Sequence, residues 1–539
     1  MTKNKFVFLL PPLRKKADTF FPLGILILAK LLRDIKWDVE IINIDQARYS
    51  QKEVLAMLRE LQPNVIGWSA VTATAYSYIK EMTLLIKKEQ PNALMFLGGN
   101  LCSVSDLLLN IGVDVVFVGE AEVSLPKVLK CIFDHDGIMS DIPGIIYRDE
   151  SKGIICTGAS ERLPLKDRFS LLPREFDGID LDWYIPPIEI PDHYGIQLSD
   201  YDAHTYAGKR MITIQIQRGC QAQCTFCHRN SKYSPFSVDD VVDYMMHLRD
   251  YYNVYYFRLA SESFIGKRDW ILDFAEKVKL LNIVFDIGGA RVDMVDYEIL
   301  HSLKGAGCIA VVFGYESGDQ VVLDEMNKGI TVQENLNAAL WTKELGLGSP
   351  PQLIIGYPGE SISSLLQNLK FVRVCRRKSI SCNMLQVLPG TPIYHYAIAM
   401  GYIYNEDDYM MAVSDKDASD LSSFVNMTKL NLYYLQAMRF LIGKSAYYSN
   451  RAALWYNVFI FLWGVVLAIY LLLKIPISQH LIIYIVSIIF RIDIDVKNQS
   501  IGNIGNYMKN KYSTLKCFEL LKYGCVAEFN RYRGNRNDG

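Results

Sequence analysis

The chain has 539 residues, 50% of them hydrophobic and 21% charged, a composition that excludes a disordered or collagen-like protein. Its 57 Lys and Arg against 58 Asp and Glu leave a net charge of −1, which argues against a nucleic-acid-binding protein. The length predicts about three or four domains.

Residues 1–135 alternate between short apolar runs and amphipathic segments. This spacing predicts a Rossmann-like parallel sheet with helices on both faces. Strands are expected over 5–10, 37–44, 64–71, 93–99 and 114–120, and helices over 22–35, 53–62 and 76–89. Ligands bind such sheets at the carboxyl ends of the strands. The candidate ligand-binding residues at those ends are Ser69, Thr72, Gly98, Gly99 and Glu120.

Residues 136–208 lack this alternation. A β-hairpin with a charged turn is expected over 144–158, and a stretch rich in proline and aromatic residues follows it. Because that stretch is too apolar for a free tether, it is predicted to be a linker that packs on its neighbours.

Residues 209–400 return to alternating strands and helices. Six repeats are predicted, beginning with a strand over 211–217 and a helix over 238–252. Such a series predicts a full or partial (β/α) barrel, whose site lies at the carboxyl ends of its strands.

Residues 401–539 are expected to form a helical C-terminal region with two apolar segments. Residues 452–473 carry no charge over 22 positions, enough to cross the roughly 30 Å core of a bilayer. Residues 475–490 are shorter and suit a returning half-hairpin or an interfacial helix. Two interpretations stay open here: membrane contact at the cytoplasmic face, which would suit a lipid-like substrate, or a buried pair of helices packed on the barrel.

The chain has eleven cysteines, and most of them are isolated. The apolar part of the N-terminus is too short for a signal peptide, so reduced thiols in the cytoplasm are expected. Three are grouped: Cys220, Cys224 and Cys227 stand in a C-x3-C-x2-C spacing directly after the strand over 211–217.

Three thiolates on one loop can bind three irons of a [4Fe–4S] cluster and leave the fourth iron open to a chelating amino-carboxylate ligand. The alternatives are a structural zinc loop, which would need a fourth ligand, and three unrelated thiols.

Segment 217–230, QRGCQAQCTFCHRN, resembles the cluster loop of radical S-adenosylmethionine enzymes, including Phe226 just before the third cysteine. Further motifs at 304–318, 323–331, 354–361 and 388–394 follow in that family's order. With residues 1–135 ahead of them, the resemblance is to the subgroup that carries an N-terminal cobalamin-binding domain. It extends to about residue 400.

The resemblance implies roles for individual residues. Cys220, Cys224 and Cys227 would be the cluster ligands at the catalytic centre, with Phe226 beside the cofactors. Glu262 would accept the methionine amino group of S-adenosylmethionine, although the family often has two adjacent acids there. Glu316 would approach the ribose or methionine part. Gly356 would let the backbone close on the adenosyl group. Surface carboxylates and an ordinary turn are the plainer interpretations of these last three residues.

The resemblance also implies cobalamin. Residues 1–134 contain no histidine, so this domain cannot supply an axial histidine ligand to cobalt. Ser69, Thr72, Gly98, Gly99 and Glu120 would instead lie in the loops that hold the corrin. The alternative is a scaffold domain that has lost the cofactor.

The implied function is formation of a 5′-deoxyadenosyl radical at the cluster, followed by methyl transfer from cobalamin to an unactivated carbon of a small or lipid-like substrate. A reductant such as flavodoxin or ferredoxin would be a partner, and no nucleic acid would be. Two alternatives stay open: a radical oxidoreductase or cyclase without methyl transfer, and a non-catalytic, membrane-tethered iron–sulfur protein.

Overall fold

A computed structural model describes residues 4–445, except 15–16, 18–20, 177, 192–193, 195–205, 216, 229–232, 265 and 417–422. The apolar segments 452–473 and 475–490 lie outside the described residues, and so does the prediction of membrane contact made from them. Within the described part of the chain, no helix is both long and apolar enough to span a bilayer.

The N-terminal sheet has seven strands in the order β2-β1-β3-β4-β5-β6-β7. They are β1 (Lys5–Leu10), β2 (Asp38–Asn43), β3 (Val65–Ser69), β4 (Leu94–Gly98), β5 (Val115–Phe117), β6 (Ile145–Asp149) and β7 (Gly153–Cys156). The first five strands are parallel, and β6 and β7 add antiparallel to the edge at β5.

Helices cover both faces of this sheet, so its central strands are apolar along their whole length. In β1 every residue from Phe6 to Leu10 is buried. The helices are α1 (Leu23–Asp34), α2 (Ile44–Ala47), α3 (Gln51–Leu61), α4 (Tyr76–Glu89), α5 (Ser105–Asn110) and α6 (Ser124–Leu129). Helix α3 begins with a capping box, in which Ser50 and Glu53 satisfy each other's backbone N–H groups.

The second large sheet has six parallel strands in the order β8-β11-β12-β13-β14-β15. They are β8 (Arg210–Ile214), β11 (Val254–Ala260), β12 (Val284–Ala290), β13 (Cys308–Glu316), β14 (Gln352–Ile355) and β15 (Ser381–Met384), and the short pair β9 (Gln217–Arg218) and β10 (Ser234–Pro235) lies beside β8. Since β8 and β15 do not pair with each other, the sheet is a partial barrel.

Helices α7 (Leu165–Ser170) and α8 (Leu181–Tyr184) lie in the connection between the two sheets. The barrel and the C-terminal region contain α9 (Val238–Tyr252), α10 (Arg268–Lys279), α11 (Tyr297–Gly305), α12 (Gln320–Glu325), α13 (Val332–Glu344), α14 (Ile362–Cys375), α15 (Pro392–Ala399), α16 (Glu406–Val413) and α17 (Leu432–Lys444).

The connection closes the amino-terminal end of the barrel. Pro187 pairs with Arg210 at the start of β8, and Tyr194 packs among apolar residues of β8, β11, β12 and β13. Both Tyr194 and Tyr256 donate their hydroxyls to the buried Asp286 carboxylate. The site is therefore expected at the opposite end, where the barrel strands end.

The C-terminal region fastens the barrel to the N-terminal domain. Helix α16 packs on α4, where Lys80 Nζ lies 2.6 Å from Asp407 Oδ2 and Tyr76 donates to the same carboxylate. Close by, Ser77 N donates to Ser414 Oγ over 3.0 Å. These contacts fix how the carboxyl ends of the two sheets face each other.

The predicted fold class, a parallel N-terminal sheet followed by a full or partial barrel, is confirmed. The hairpin over 144–158 also forms, but it belongs to the N-terminal sheet and not to a separate linker. The N-terminal sheet thus extends past residue 135. It does so because β6 pairs with β5 and satisfies the backbone hydrogen-bonding groups at that edge.

Candidate active site

The loop with the three grouped cysteines begins two residues after Arg218, the last residue of β9. Cys224 is buried, Cys220 is partly buried and Cys227 is exposed. In the described part of the chain, no three Cys, His, Asp or Glu side chains are gathered around one point suited to a single metal ion. A four-iron cluster binds each thiolate through a different iron, so it does not require the three sulfurs to meet at one point.

A strap at residues 325–328 holds this loop from one side. Thr225 N and Thr225 Oγ1 both donate to the Met326 carbonyl, over 2.9 Å and 3.1 Å. Asn327 Nδ2 donates to the Gln223 carbonyl over 2.9 Å. From a third segment, Ile393 N donates to the Thr225 carbonyl. The backbone between the second and third cysteines is therefore fixed by residues far away in sequence.

Two buried cations lie against the loop. Arg291 Nη1 is 4.0 Å from Cys224 Sγ, and Lys328 Nζ is 5.9 Å from the centre of the Phe226 ring. Burial raises the pKa of the Cys224 thiol, while Lys328 and Arg291 act to lower that pKa. Both cations would stabilise the thiolate form that a metal requires. Sequence reasoning assigned no role to Lys328 or Arg291, because a cation that folding brings close leaves no local signal in the sequence.

Glu316 ends β13 and is buried with a left-handed backbone, φ +59°. Its Oε1 accepts from Lys328 Nζ over 2.8 Å, a buried ion pair. The carboxylate predicted to approach S-adenosylmethionine therefore lies at the carboxyl end of its strand, beside the strap that holds the cysteine loop.

Glu262 follows β11, and the backbone N–H of Gly219, next to Cys220, acts to lower the pKa of its carboxyl. Desolvation acts in the opposite direction and is the larger effect, so the pKa of the Glu262 carboxyl is raised. Its neighbour Ser261 is buried, and its hydroxyl has no hydrogen-bond partner. An unsatisfied buried hydroxyl is costly unless a ligand completes it.

Gly356 follows β14 with φ +90°, a conformation that favours glycine. A Cβ placed there would lie 2.6 Å from the ring of Phe424, which comes from the C-terminal region. Its N–H donates to the buried carboxylate of Glu360. The close contact that requires glycine at position 356 is thus made by Phe424, a side chain of the protein itself.

A cavity of about 340 Å³ opens at the carboxyl ends of the N-terminal strands. Aromatic and aliphatic side chains of β1, β4, β5 and α1 form its walls, and Ser69, Gly98, Gly99 and Glu120 also line it. Thr72 is not among the lining residues, and its hydroxyl bonds that of Thr74. The barrel supplies the facing wall with Gln215, Arg218 and Glu262.

Arg218 joins the two domains at this cavity. Its Nη1 lies 2.6 Å from Glu122 Oε1 and 3.1 Å from Glu120 Oε2, and both carboxylates are buried. Arg162 and Arg168 also contact Glu120, at 3.4 Å and 3.7 Å. Glu120, predicted as a corrin contact, is thus at the centre of an arginine cluster. Sequence reasoning missed Arg218 and Glu122, although Arg218 stands within the quoted cysteine motif.

Comparison with known families matches both domains. The family model "B12 binding domain" matches residues 13–129, and that of the "Radical SAM superfamily" matches residues 214–372. The chain belongs to the cobalamin-binding radical S-adenosylmethionine enzymes. The resemblance stated from the cysteine loop and the outer motifs is confirmed, as is the prediction that this is a radical S-adenosylmethionine enzyme.

Two curated relatives of this radical S-adenosylmethionine enzyme differ in name. An uncharacterized methyltransferase of Pyrococcus horikoshii is 21% identical over 453 residues, 80% of this chain and 93% of the relative. The anaerobic magnesium-protoporphyrin IX monomethyl ester cyclase of Cereibacter sphaeroides is 27% identical over 360 residues, 64% of this chain and 55% of the cyclase. The chain spans about half the length of that cyclase.

Solved structures share the fold. The methyltransferase TsrM from Kitasatospora setae, with cobalamin and a [4Fe–4S] cluster bound, matches at TM-score 0.58 and 16% identity, over 75% of this chain and 79% of TsrM. OxsB with aqua-cobalamin matches at TM-score 0.55 and 20% identity, over 71% of this chain and 54% of OxsB.

The residues present fit all three cofactors expected of this family. For the cluster there are three thiols with two buried cations beside them. For S-adenosylmethionine there is the unsatisfied Ser261 hydroxyl beside Glu262. For cobalamin there is the cavity at the strand ends. In its wall, Gly67 packs so closely on the Phe6 ring that a Cβ at position 67 would lie 2.7 Å from that ring.

Proposed function

We propose that this chain is a cobalamin-dependent radical S-adenosylmethionine methyltransferase that acts on an unactivated carbon. The observation that carries the proposal is the shared cavity. Its walls come from the cobalamin-binding domain on one side and from Arg218 and Glu262, which flank the cysteine loop, on the other. A corrin held there would face the S-adenosylmethionine site. The names of the Pyrococcus relative and of TsrM support the same chemistry.

When bound, the cluster would supply an electron to S-adenosylmethionine and cobalamin would carry the methyl group. In this proposal Cys220, Cys224 and Cys227 hold the cluster. Glu262 accepts a hydrogen bond from the methionine amino group of S-adenosylmethionine, and Glu316 orients the ribose or methionine part of the same molecule. Gly356 and its neighbours close the adenosyl side, and Ser69, Gly98 and Gly99 line the corrin cavity. The closed amino-terminal end of the barrel excludes water from the S-adenosylmethionine site, and the apolar cavity walls exclude it from the corrin site.

The experiment is anaerobic. The protein is purified with cobalamin supplied, loaded with iron and sulfide, and incubated with S-adenosylmethionine and a one-electron reductant. Methyl transfer from S-adenosylmethionine leaves S-adenosylhomocysteine, and reductive cleavage leaves 5′-deoxyadenosine. Formation of both, with a methyl mass gain in a substrate, is the expected result. Stoichiometric cluster without corrin or S-adenosylhomocysteine would overturn the proposal.

The second candidate is a radical oxidoreductase or cyclase with the same cofactors. The identity with the Cereibacter cyclase, higher than with the Pyrococcus methyltransferase, favours it. It predicts 5′-deoxyadenosine without S-adenosylhomocysteine and a product that gains no methyl group. A non-catalytic iron–sulfur protein, the third interpretation of the sequence, would form neither compound.

The proposal includes a small-molecule substrate, a reductant of the flavodoxin or ferredoxin type, and a cytoplasmic location. The last follows from the oxygen sensitivity and reduced thiols of an iron–sulfur enzyme. Membrane contact through 452–490, and with it a lipid-like substrate, stays a prediction from the sequence. Flotation of the full chain with liposomes would test it.

A further inference from the structure

Arg291 lies directly after β12, and the loop that carries it reaches the buried side of the cysteine loop. Its side chain is 7% exposed. Such burial is unusual for a guanidinium, because burying a charge is costly unless the charge is paired and hydrogen-bonded.

The partners of this guanidinium hold it in one orientation. Nε and Nη2 donate to the two oxygens of Asp293, each over 2.9 Å, in a bidentate fork. Nη2 also donates to the Lys328 carbonyl over 2.8 Å, which ties it to the strap at residues 325–328. The nitrogen left for the cysteine loop is Nη1, and it lies 4.0 Å from Cys224 Sγ.

We infer that Arg291 is a positioning residue that aims an N–H at the Cys224 sulfur and thereby raises the reduction potential of the cluster. The inference rests on the proposed function, because it needs a cluster on Cys224. Hydrogen bonds to cluster sulfurs and nearby positive charge stabilise the reduced, more negative state. Asp293 offsets part of the charge, but it is also what directs Nη1 toward the sulfur.

Lys328 is the other buried cation near the loop, and it is used differently. Its Nζ is paired with Glu316 at 2.8 Å, and among the described residues its hydrogen bond goes to that carboxylate and not to a cysteine sulfur. The short contact between a cation and a thiol in this loop is thus made by Arg291. A change at Arg291 is expected to act on the cluster first and on the S-adenosylmethionine site second.

The test is a redox titration of the reconstituted cluster, followed by electron paramagnetic resonance, on the full chain and on Arg291→Gln, Arg291→Lys and Asp293→Asn. Arg377→Gln is the matched control, since Arg377 is also held by carbonyls of the barrel, those of Leu347 and Ala339, away from the loop. Iron content and circular dichroism are recorded for each variant.

For Arg291→Gln we expect the ratio of oxidised to reduced cluster at a fixed potential to rise roughly tenfold, the effect of losing one hydrogen bond to a charged group. That corresponds to about 59 mV toward more negative potential for a one-electron couple. Arg291→Lys keeps the charge without the fork, so its potential should shift in the same direction by less. Asp293→Asn loosens the aim of Nη1 but also removes the negative charge that offsets the guanidinium, and because these two effects oppose each other its shift should be smaller than that of Arg291→Lys. The Arg377 variant should not shift.

An unchanged potential in a cluster-containing Arg291→Gln protein overturns the inference. If that variant does not fold, an unchanged potential in a cluster-containing Arg291→Lys protein overturns it equally. These results are independent of methyl transfer. A wild-type protein that forms no S-adenosylhomocysteine but shows the predicted shifts would defeat the proposed methyltransferase function and leave this inference standing.

Discussion

At the scale of single residues, Cys224 is distinguished from the isolated Cys375 by its surroundings. Cys375 is buried in the barrel core, and burial raises the pKa of its thiol to about 12. Cys224 is also buried but has Lys328 and Arg291 close by. A metal needs the thiolate, so the second environment suits a ligand and the first does not.

Replacing Cys224 by Ala is therefore expected to abolish cluster binding and the cleavage of S-adenosylmethionine, because three thiolates are needed to hold the cluster with one iron open. Bound iron and the visible absorption of the reconstituted protein measure this. Cys375→Ala, a loss of the same group in the same barrel, should retain both. Equal iron in the two variants would contradict the assignment of Cys224 as a ligand.

Glu360 predicts a pH dependence of stability. Burial raises the pKa of its carboxyl to about 8, above the value near 4.5 of an exposed glutamate. The folded state then holds a proton that the unfolded state releases, so stability falls as pH rises from about 4.5 to about 8, by at most about 1.4 kcal/mol per unit.

Glu360→Gln should remove that dependence, since glutamine does not titrate. Urea unfolding at several pH values measures it, with Glu344→Gln as the control, because in the described part of the chain the Glu344 side chain hydrogen-bonds the hydroxyl of the exposed Tyr297 and no other side chain. If the free energy of unfolding depends on pH no more strongly in the wild-type protein than in Glu360→Gln across this range, the raised pKa is contradicted.

The sequence predicts the residues that form a local motif and misses those that folding brings to it. Cys220, Cys224 and Cys227 are readable because their spacing lies within one loop. Arg291 and Lys328 reach that loop from positions 67 and 104 residues further along the chain, so no pattern of charge near the cysteines announces them.

At the scale of elements, the turn after β4 is tightly constrained by its backbone conformation and its neighbours. Gly99 has φ +104° and ψ −170°, a region that is essentially closed to other residues. A Cβ there would also collide with the Ala70 carbonyl oxygen after β3. The two glycines singled out from the sequence thus serve different ends, since Gly98 has only ordinary contact distances around it.

Gly99→Ala is expected to destabilise the protein by about 3 kcal/mol, from backbone strain and the collision together. It should also lower the corrin retained on purification, because the turn lines the cavity. Thermal unfolding and the corrin-to-protein ratio measure the two effects. Gly153→Ala, at φ +79° where β7 begins, should show the backbone strain alone, because an added Cβ there would meet no atom within 4 Å. Equal losses in both variants would contradict the collision.

Element boundaries follow from periodicity where a segment has one buried face. The predicted helices over 76–89 and 238–252 coincide with α4 and α9. The hairpin over 144–158 was also readable, but not the sheet it joins. Which edge an antiparallel pair completes depends on the unpaired backbone groups of β5, and these leave no trace in side-chain pattern.

At the scale of the whole molecule, Arg218 links the barrel to the cobalamin-binding domain by a buried pair with Glu120 and Glu122. Arg218→Gln leaves both carboxylates without that charge, and breaking such a pair costs about 3–5 kcal/mol. Because Arg218 lies between the corrin cavity and the cysteine loop, the exchange of a methyl group across the cavity should suffer more than cleavage of S-adenosylmethionine at the cluster.

The prediction is that S-adenosylhomocysteine formation falls more steeply than 5′-deoxyadenosine formation in Arg218→Gln, and that Arg218→Lys recovers part of the difference. Both products are measured in one reaction by mass spectrometry. Lys127→Ala, which removes a solvent-exposed pair with Glu161, is the control and should change neither. A parallel fall of both products would show that Arg218 only supports folding.

The two sheets are each built from one uninterrupted stretch of chain, β1 to β7 and then β8 to β15. During synthesis the first sheet can complete all its strand pairings before Arg210 has left the ribosome, since no later strand inserts into it. Glu120 and Glu122 are then in place before Arg218 arrives, and the newly made barrel meets a finished surface. The order of translation therefore gives this enzyme a template on which the cluster loop is assembled last.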